Sequence, residues 1–166
     1  KLSSSFLKSL INSQNYKDAI TYSKNLESKN QSNFESLLFL GLNEFKNKNY
    51  IKAKFYFNEL KPNFENQFFF APLKLSLMNW SEIMISNKKS DIKLIQLMPN
   101  NFGSFKSIQE VFAYCYFDDR DVDVKFAKII KDEGDKFYRY NFFYANYLLK
   151  KNRNKEAVSI LKSSAD

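Results

Sequence analysis

The chain has no histidine among its 166 residues. That removes Ser-His and Cys-His nucleophilic pairs, imidazole metal ligation and a histidine pH switch. Cysteine occurs once, at Cys115, so neither an internal disulfide nor a cysteine metal cluster can form. Cys115 lies in the apolar run VFAYCYF, where a buried, inert thiol is expected. Glycine and proline occur three times each. A sheet protein needs turn residues every few positions, so their scarcity points to helices joined by short polar connections. No apolar run approaches the ~20 residues of a membrane span. The sequence does not begin with Met and opens on no signal peptide, as a processed form, an engineered piece or an excised domain would. It carries no address to a compartment.

Arginine is scarce too. Of 26 basic residues only Arg120, Arg139 and Arg153 are arginines, against 18 acidic residues and a net charge of +8. Readers of nucleic acid lean on the bidentate guanidinium, whereas a lysine-dominated balance reads as solvated surface. Phosphate loops are missing: Gly41, Gly103 and Gly134 stand alone, with no G-x-x-x-x-G-K and no G-x-G-x-x-G. No serine sits in a nucleophile elbow. Asp118, Asp119, Asp121 and Asp123 invite comparison with a calcium loop. Counted from Asp118, however, the sixth and twelfth places hold Asp123 and Ile129 instead of Gly and Glu. The cluster reads as a solvated helix start that complements the helix dipole. The expectation is a protein without catalytic residues, cofactor or metal.

What is present is 44% apolar residues with 18 Phe and 10 Tyr, among abundant Lys and Asn. Phe, Tyr, Lys, Asn and Ile share A/T-rich codons, so the bias reads partly as the imprint of an A/T-rich, bacterial type of genome. Within it lies a register. Tyr16, Ala19, Ser23 and Leu26 each precede Tyr50, Ala53, Phe57 and Leu60 by 34 residues, and Phe6 and Leu7 precede Leu40 and Gly41 by the same interval. Ala145, Asn154, Ala157 and Leu161 repeat the spacing of Gly41, Tyr50, Ala53 and Phe57. Periods of this length mark stacked helix pairs.

The pattern resembles the tetratricopeptide repeat (TPR) family. The family's signature places hold Leu37, Leu40, Gly41, Phe45, Lys48, Tyr50, Ala53, Phe57, Leu60 and Pro62. Lys48 departs from the Gly that turns the chain in the family, and Pro62 comes about three residues early. Residues 2–62 and 137–164 carry the resemblance. It implies an all-α fold: a right-handed α-solenoid of about five antiparallel helix pairs in a single domain over 1–166. The units are about 1–30, 34–62, 69–99, 104–134 and 137–164. Within them helices are expected over about 3–13, 16–28, 34–47, 50–60, 69–86, 91–98, 104–117, 122–132, 137–151 and 154–164. Pro99 ends the third unit and Gly134 caps the fourth. Small residues, Gly41 with Ala53 and Ala145 with Ala157, are expected where the helices of a pair cross. Leu7 in the place of Gly41 predicts looser packing in unit one.

The resemblance also implies a function. In the family the first helix of each pair lines a groove that grips a peptide or partner helix. Aligned on the repeat, unit one presents Lys8, Ile11 and Asn12, with Ser4 before them. Unit two presents Leu38, Leu42, Phe45 and Lys46, and unit five presents Arg139, Phe142, Asn146 and Lys150. Some of these aromatics could instead be buried by a neighbouring repeat. The carboxylate clamp of chaperone-type TPRs is not carried over, because Lys8 and Asn12 fall one turn late and Phe39 stands where the next unit would supply Asn. The expected role is a non-catalytic scaffold for a protein or peptide.

Two other roles remain open. One is a nucleic-acid-binding helical repeat, suggested by the net charge and the Tyr/Arg interleaving of FYRYNFFYANYLLKKNRNK. Against it, the helix period puts Phe142, Ala145, Leu148 and Leu149 on one packed stripe with the charges gathered at the helix end. The other is a structural segment of a longer solenoid, or one that self-associates, because the end ILKSSAD shows Ile160 and Leu161 without a polar capping helix.

Overall fold

In a computed structural model, the structure describes residues 2–62, 67–133 and 139–162, and all its regular elements there are helical. The described chain forms two compact units, Lys1–Met98 and Pro99–Asp166.

The first unit runs α1 (Leu2–Asn12), α2 (Tyr16–Ser28), α3 (Phe34–Lys46), α4 (Tyr50–Glu59) and α5 (Gln67–Ser86). A 3-10 turn at Lys89–Ile92 and a single helical turn, α6 (Lys93–Gln96), follow. Each helix packs on the next, and α1 also reaches α3. Helix α3 starts in a capping box: the Asn33 side chain accepts from Ser36 N–H at 2.9 Å and the Ser36 hydroxyl accepts from Asn33 N–H at 2.9 Å. Ala53, Phe57 and Leu60 form a buried cluster of α4 and the segment after it, covered by Phe34, Leu37, Leu38 and Phe45 of α3 and by Phe70, Leu77 and Met78 of α5. Burying one phenylalanine fully is worth about 2–3 kcal/mol.

The helix expected over 91–98 is shorter and divided. The Ser86 hydroxyl donates to the Asp91 carboxylate, which holds the chain in the 3-10 turn, and Pro99 limits the residue before it. Pro72 stands sixth in α5, past the first turn, where it leaves one helix carbonyl without its donor.

The second unit opens with a 3-10 turn (Asn100–Phe102), then α7 (Gly103–Tyr116), α8 (Val122–Glu133), α9 (Arg139–Lys150) and α10 (Asn154–Lys162), each packed on the next. Its core joins Val111, Val122, Phe126, Ile129, Tyr144 and Leu148, with Ala157 closing it from α10. Phe126 stacks on Tyr144 with centroids 4.7 Å apart. That pairing turns α9 so that Tyr140, Asn141, Tyr144, Ala145 and Leu148 face inward. Phe142 and Leu149, expected on the packed stripe, are exposed. The cap expected at Gly134 lies outside the described residues.

One turn geometry closes five of the described helices. After α1, α2, α3, α7 and α9 the second residue past the helix takes a left-handed conformation: Gln14 (φ 60°), Asn30 (φ 55°), Lys48 (φ 64°), Asp118 (φ 50°) and Asn152 (φ 59°). Each donates its N–H back three residues, to Ile11, Glu27, Phe45, Cys115 and Leu149. The next residue donates back five, to Leu10, Leu26, Glu44, Tyr114 and Leu148. This is the paired 5→2 and 6→1 closure of a Schellman motif. Three of the connections are three residues long (13–15, 47–49 and 151–153). In these the carbonyls of Asn15, Asn49 and Arg153 accept from Ala19, Ala53 and Ala157. Lys48, the departure from glycine, therefore sits where a left-handed backbone is needed.

At the crossing of α3 and α4 the close approach is between Gly41 and the ring of Phe57. A Cβ on Gly41 would lie 2.6 Å from Phe57 Cδ1 and nearer still to Cε1. In unit one the same two register positions hold Leu7 and Ser23, both fully buried. Helices α1 and α2 associate less extensively than α3 and α4 or α9 and α10 do, in keeping with the looser packing expected from Leu7. The Ser23 hydroxyl is satisfied by the Ala19 carbonyl at 2.8 Å.

Candidate functional site

The candidate groove residues divide between the two units. On α1, Lys8 and Asn12 are exposed and Ile11 is half-buried. The Lys8 ammonium lies 3.4 Å from the Glu35 carboxylate of α3, so one candidate is committed to a bridge between first helices. Lys8 and Ser4 border a cleft of about 930 Å³ that also takes in Phe34, Glu35, Leu37 and Tyr56. On α3, Leu42 and Lys46 are exposed one turn apart. Leu38 and Phe45 are half-buried and pack against the Ala53–Phe57–Leu60 cluster, and Phe45 meets Tyr50 edge-on at 5.2 Å.

On α9, Arg139, Phe142, Asn146 and Lys150 are all exposed. Their intervals of three, four and four residues place them along one helix face. The Asn146 amide donates to the Phe142 carbonyl at 2.9 Å. Burial pushes the Cys115 thiol up to about 11, against the opposing influence of the Lys150 charge. At neutral pH Cys115 is therefore a thiol, and its reactivity is low.

Several polar groups at these turns were not singled out by sequence reasoning. Glu44 is buried near the end of α3. Its carboxylate accepts from the Asn49 amide at 2.8 Å and lies 3.2 Å from the Lys52 ammonium. The Asn49 hydrogen bond, against the opposing effect of burial and with the help of Lys52, holds the carboxyl below the usual range. Its place in the register gives the signal, since Leu10 stands 34 residues earlier where an apolar side chain is expected.

The acidic turn before α8 is more than a solvated helix start. Asp123 accepts from Arg153 Nη1 at 3.0 and 2.7 Å and from the Tyr144 hydroxyl at 3.0 Å. Arg153 also forks onto Glu156 at 2.7 and 2.6 Å, and Lys151 pairs with Asp118. The network ties the α7–α8 turn to the α9–α10 turn. The guanidinium occupies the carboxylates that a cation would need, and no group of acidic or cysteine residues suited to a metal occurs among the described residues. No described helix is long and apolar enough to cross a membrane.

Compared with protein-family models, with curated proteins and with solved structures, the chain finds no match.

Proposed function

We propose that the chain is a TPR-like scaffold, its helix pairs continuing one right-handed array, which binds a peptide or partner protein on the first helices of its pairs. The observation that carries the binding role is the exposed apolar side chain on the same helix face as a cation: Leu42 with Lys46 one turn on along α3, and Phe142 with Lys150 two turns on along α9. A hydrophobic anchor beside a lysine suits an amphipathic or acidic-hydrophobic segment. The architectural half of the reading is supported by the three-residue connections at 13–15 and 47–49, 34 residues apart, and again at 151–153, each closed by a left-handed residue.

The test is a displayed-peptide selection on the full chain, followed by affinity measurement against Leu42→Asp and Phe142→Asp. Both side chains are exposed, so neither change should alter folding. The reading expects at least one of them to weaken the selected peptide by about tenfold or more. Selected peptides that bind both variants as tightly as the parent contradict it. Displacement of the peptide by single-stranded RNA at low salt would favour nucleic-acid binding instead.

A further inference from the structure

We infer that the groove between α4 and α5 is a second docking surface, distinct from the exposed faces of α3 and α9 that carry Leu42 and Phe142, and that its occupant is an acidic amphipathic helix of a partner protein. The groove has a volume of about 740 Å³. Its apolar floor comes from Ile51 and Phe55 on α4 and from Met84 and Ile85 at the end of α5. Ile51 is 76% exposed, Phe55 60% and Ile85 40%. Isolated exposed apolar residues are ordinary, but apolar side chains from two helices around one groove are not. They are not needed by the core either. Helix α4 buries Ala53, Tyr56 and Phe57 on its other side, and Phe70, Leu77 and Met78 of α5 already cover that cluster.

Charge chooses the occupant. Lys48 and Lys52 stand at the rim, and no carboxylate is among the described residues lining the groove. Lys52 is partly compensated by Glu44 at 3.2 Å, whereas Lys48 projects from the exposed turn before α4. Exposed Lys88 and Lys89 follow just past the end of α5. A second copy of a chain with a net charge of +8 is repelled by such a rim. Nucleic acid matches the charge, but the described lining is weighted to the aliphatic Ile51, Met84 and Ile85, and of its two rings, Tyr50 and Phe55, Tyr50 is already engaged edge-on with Phe45. A helix with apolar residues at i, i+3 or i+4 and i+7, flanked by Asp and Glu, matches both.

The experiment uses the full chain and a fluorescent synthetic helix of about 16 residues, with a Leu stripe and acidic flanks, beside the same peptide with Lys flanks. The acidic peptide should bind at least about tenfold tighter than the basic one. Ile51→Ser combined with Phe55→Ser should weaken it about tenfold or more at an unchanged melting temperature. Lys48→Glu should weaken it severalfold and flatten its salt dependence. Leu42→Asp and Phe142→Asp should leave it unchanged. Loss of binding in either of those two variants places the peptide on the first helices, which supports the scaffold reading and overturns this one. Equal binding of both peptides, or insensitivity to the Ile51/Phe55 double variant, also overturns it. So does a concentration-dependent dimer that the double variant abolishes, or competition by oligouridine that depends on Ile51 and Phe55.

Discussion

Gly41 and Phe57 occupy one space: a Cβ added to the glycine would stand 2.6 Å from Cδ1 of the ring and nearer still to Cε1. Phe57 is fully buried, so the ring cannot swing away into solvent. Helix propensity alone would make Gly41→Ala stabilising by about 1 kcal/mol. The close approach reverses the sign, and Gly41→Ala should cost about 1–3 kcal/mol by overpacking. Adding Phe57→Leu recreates the pair at Ala145 and Leu161 and should restore part of that loss, with a coupling above about 0.5 kcal/mol. Ala53→Phe, at another fully buried position of α4, should cost about 1–3 kcal/mol or more. Denaturant melts of Gly41→Ala, Phe57→Leu, their combination and Ala53→Phe decide the matter, and a stabilising Gly41→Ala would contradict the packing.

Lys48 holds φ 64° at the close of α3. A side chain in that conformation costs about 1 kcal/mol that glycine avoids. Lys48→Gly should therefore raise the melting temperature, even though glycine substitutions on a helix usually lower it. An unchanged or lower melting temperature would mean that the left-handed turn is not populated in solution.

Asn79 is fully buried in the middle of α5, and neither its amide nitrogen nor its oxygen has a hydrogen-bond partner. It shares a stripe with Pro72, Ser76 and Ile83, on the far side of the helix from Phe70 and Leu77. A buried unpaired polar group costs about 1–3 kcal/mol, and an apolar side chain of similar size removes the cost. Asn79→Leu should stabilise the protein by about 1 kcal/mol or more, read from the urea midpoint at constant m-value. A destabilised variant would show that Asn79 is satisfied in solution, by water or by a neighbour.

Tyr56 and Tyr144 are pushed up from 10.0 to about 12, in both cases chiefly by burial. A hydrogen bond to Glu27 adds to the shift at Tyr56, and one to Asp123 adds to it at Tyr144. The neutral phenol is the favoured form in the fold. Its stabilising contribution is complete below pH 10.0 and is lost as the pH rises to about 12. Titration of the tyrosinate band should show a late component, which Tyr144→Phe reduces. Ionisation of all ten tyrosines in one step near pH 10.0 would contradict the burial of these two.

The helices of the first two pairs were legible in the sequence, most within one or two residues, because apolar spacing and short polar turns agree there. Pro99 was read as the end of the third repeat within one continuous domain, and it is also the first residue of the second compact unit. The Gly41 position was legible as a close approach, but its partner was not. The contact with the Phe57 ring depends on how two helices cross, which spacing along one chain does not encode. Asp123 and Arg153 were read as local charges because their partnership spans 30 residues and two turns. The region around α6 was hardest, since the 3-10 turn over Lys89–Ile92, closed by Ser86 and Asp91, takes the start of the short helix expected over 91–98. Of the candidate groove, Phe142 of α9 was read both as a groove residue and as part of a packed stripe, and it is exposed. Leu38 and Phe45 share their helix period with the core-facing residues of α3, and only packing reveals how far each is covered.

The most direct test of the scaffold reading is amide hydrogen exchange on the full chain with and without a selected peptide. The account predicts protection concentrated on the first helices of the pairs, in the segments around Leu42–Lys46 and Phe142–Lys150. Protection confined to α2, α8 and α10, with those segments unchanged, would contradict it.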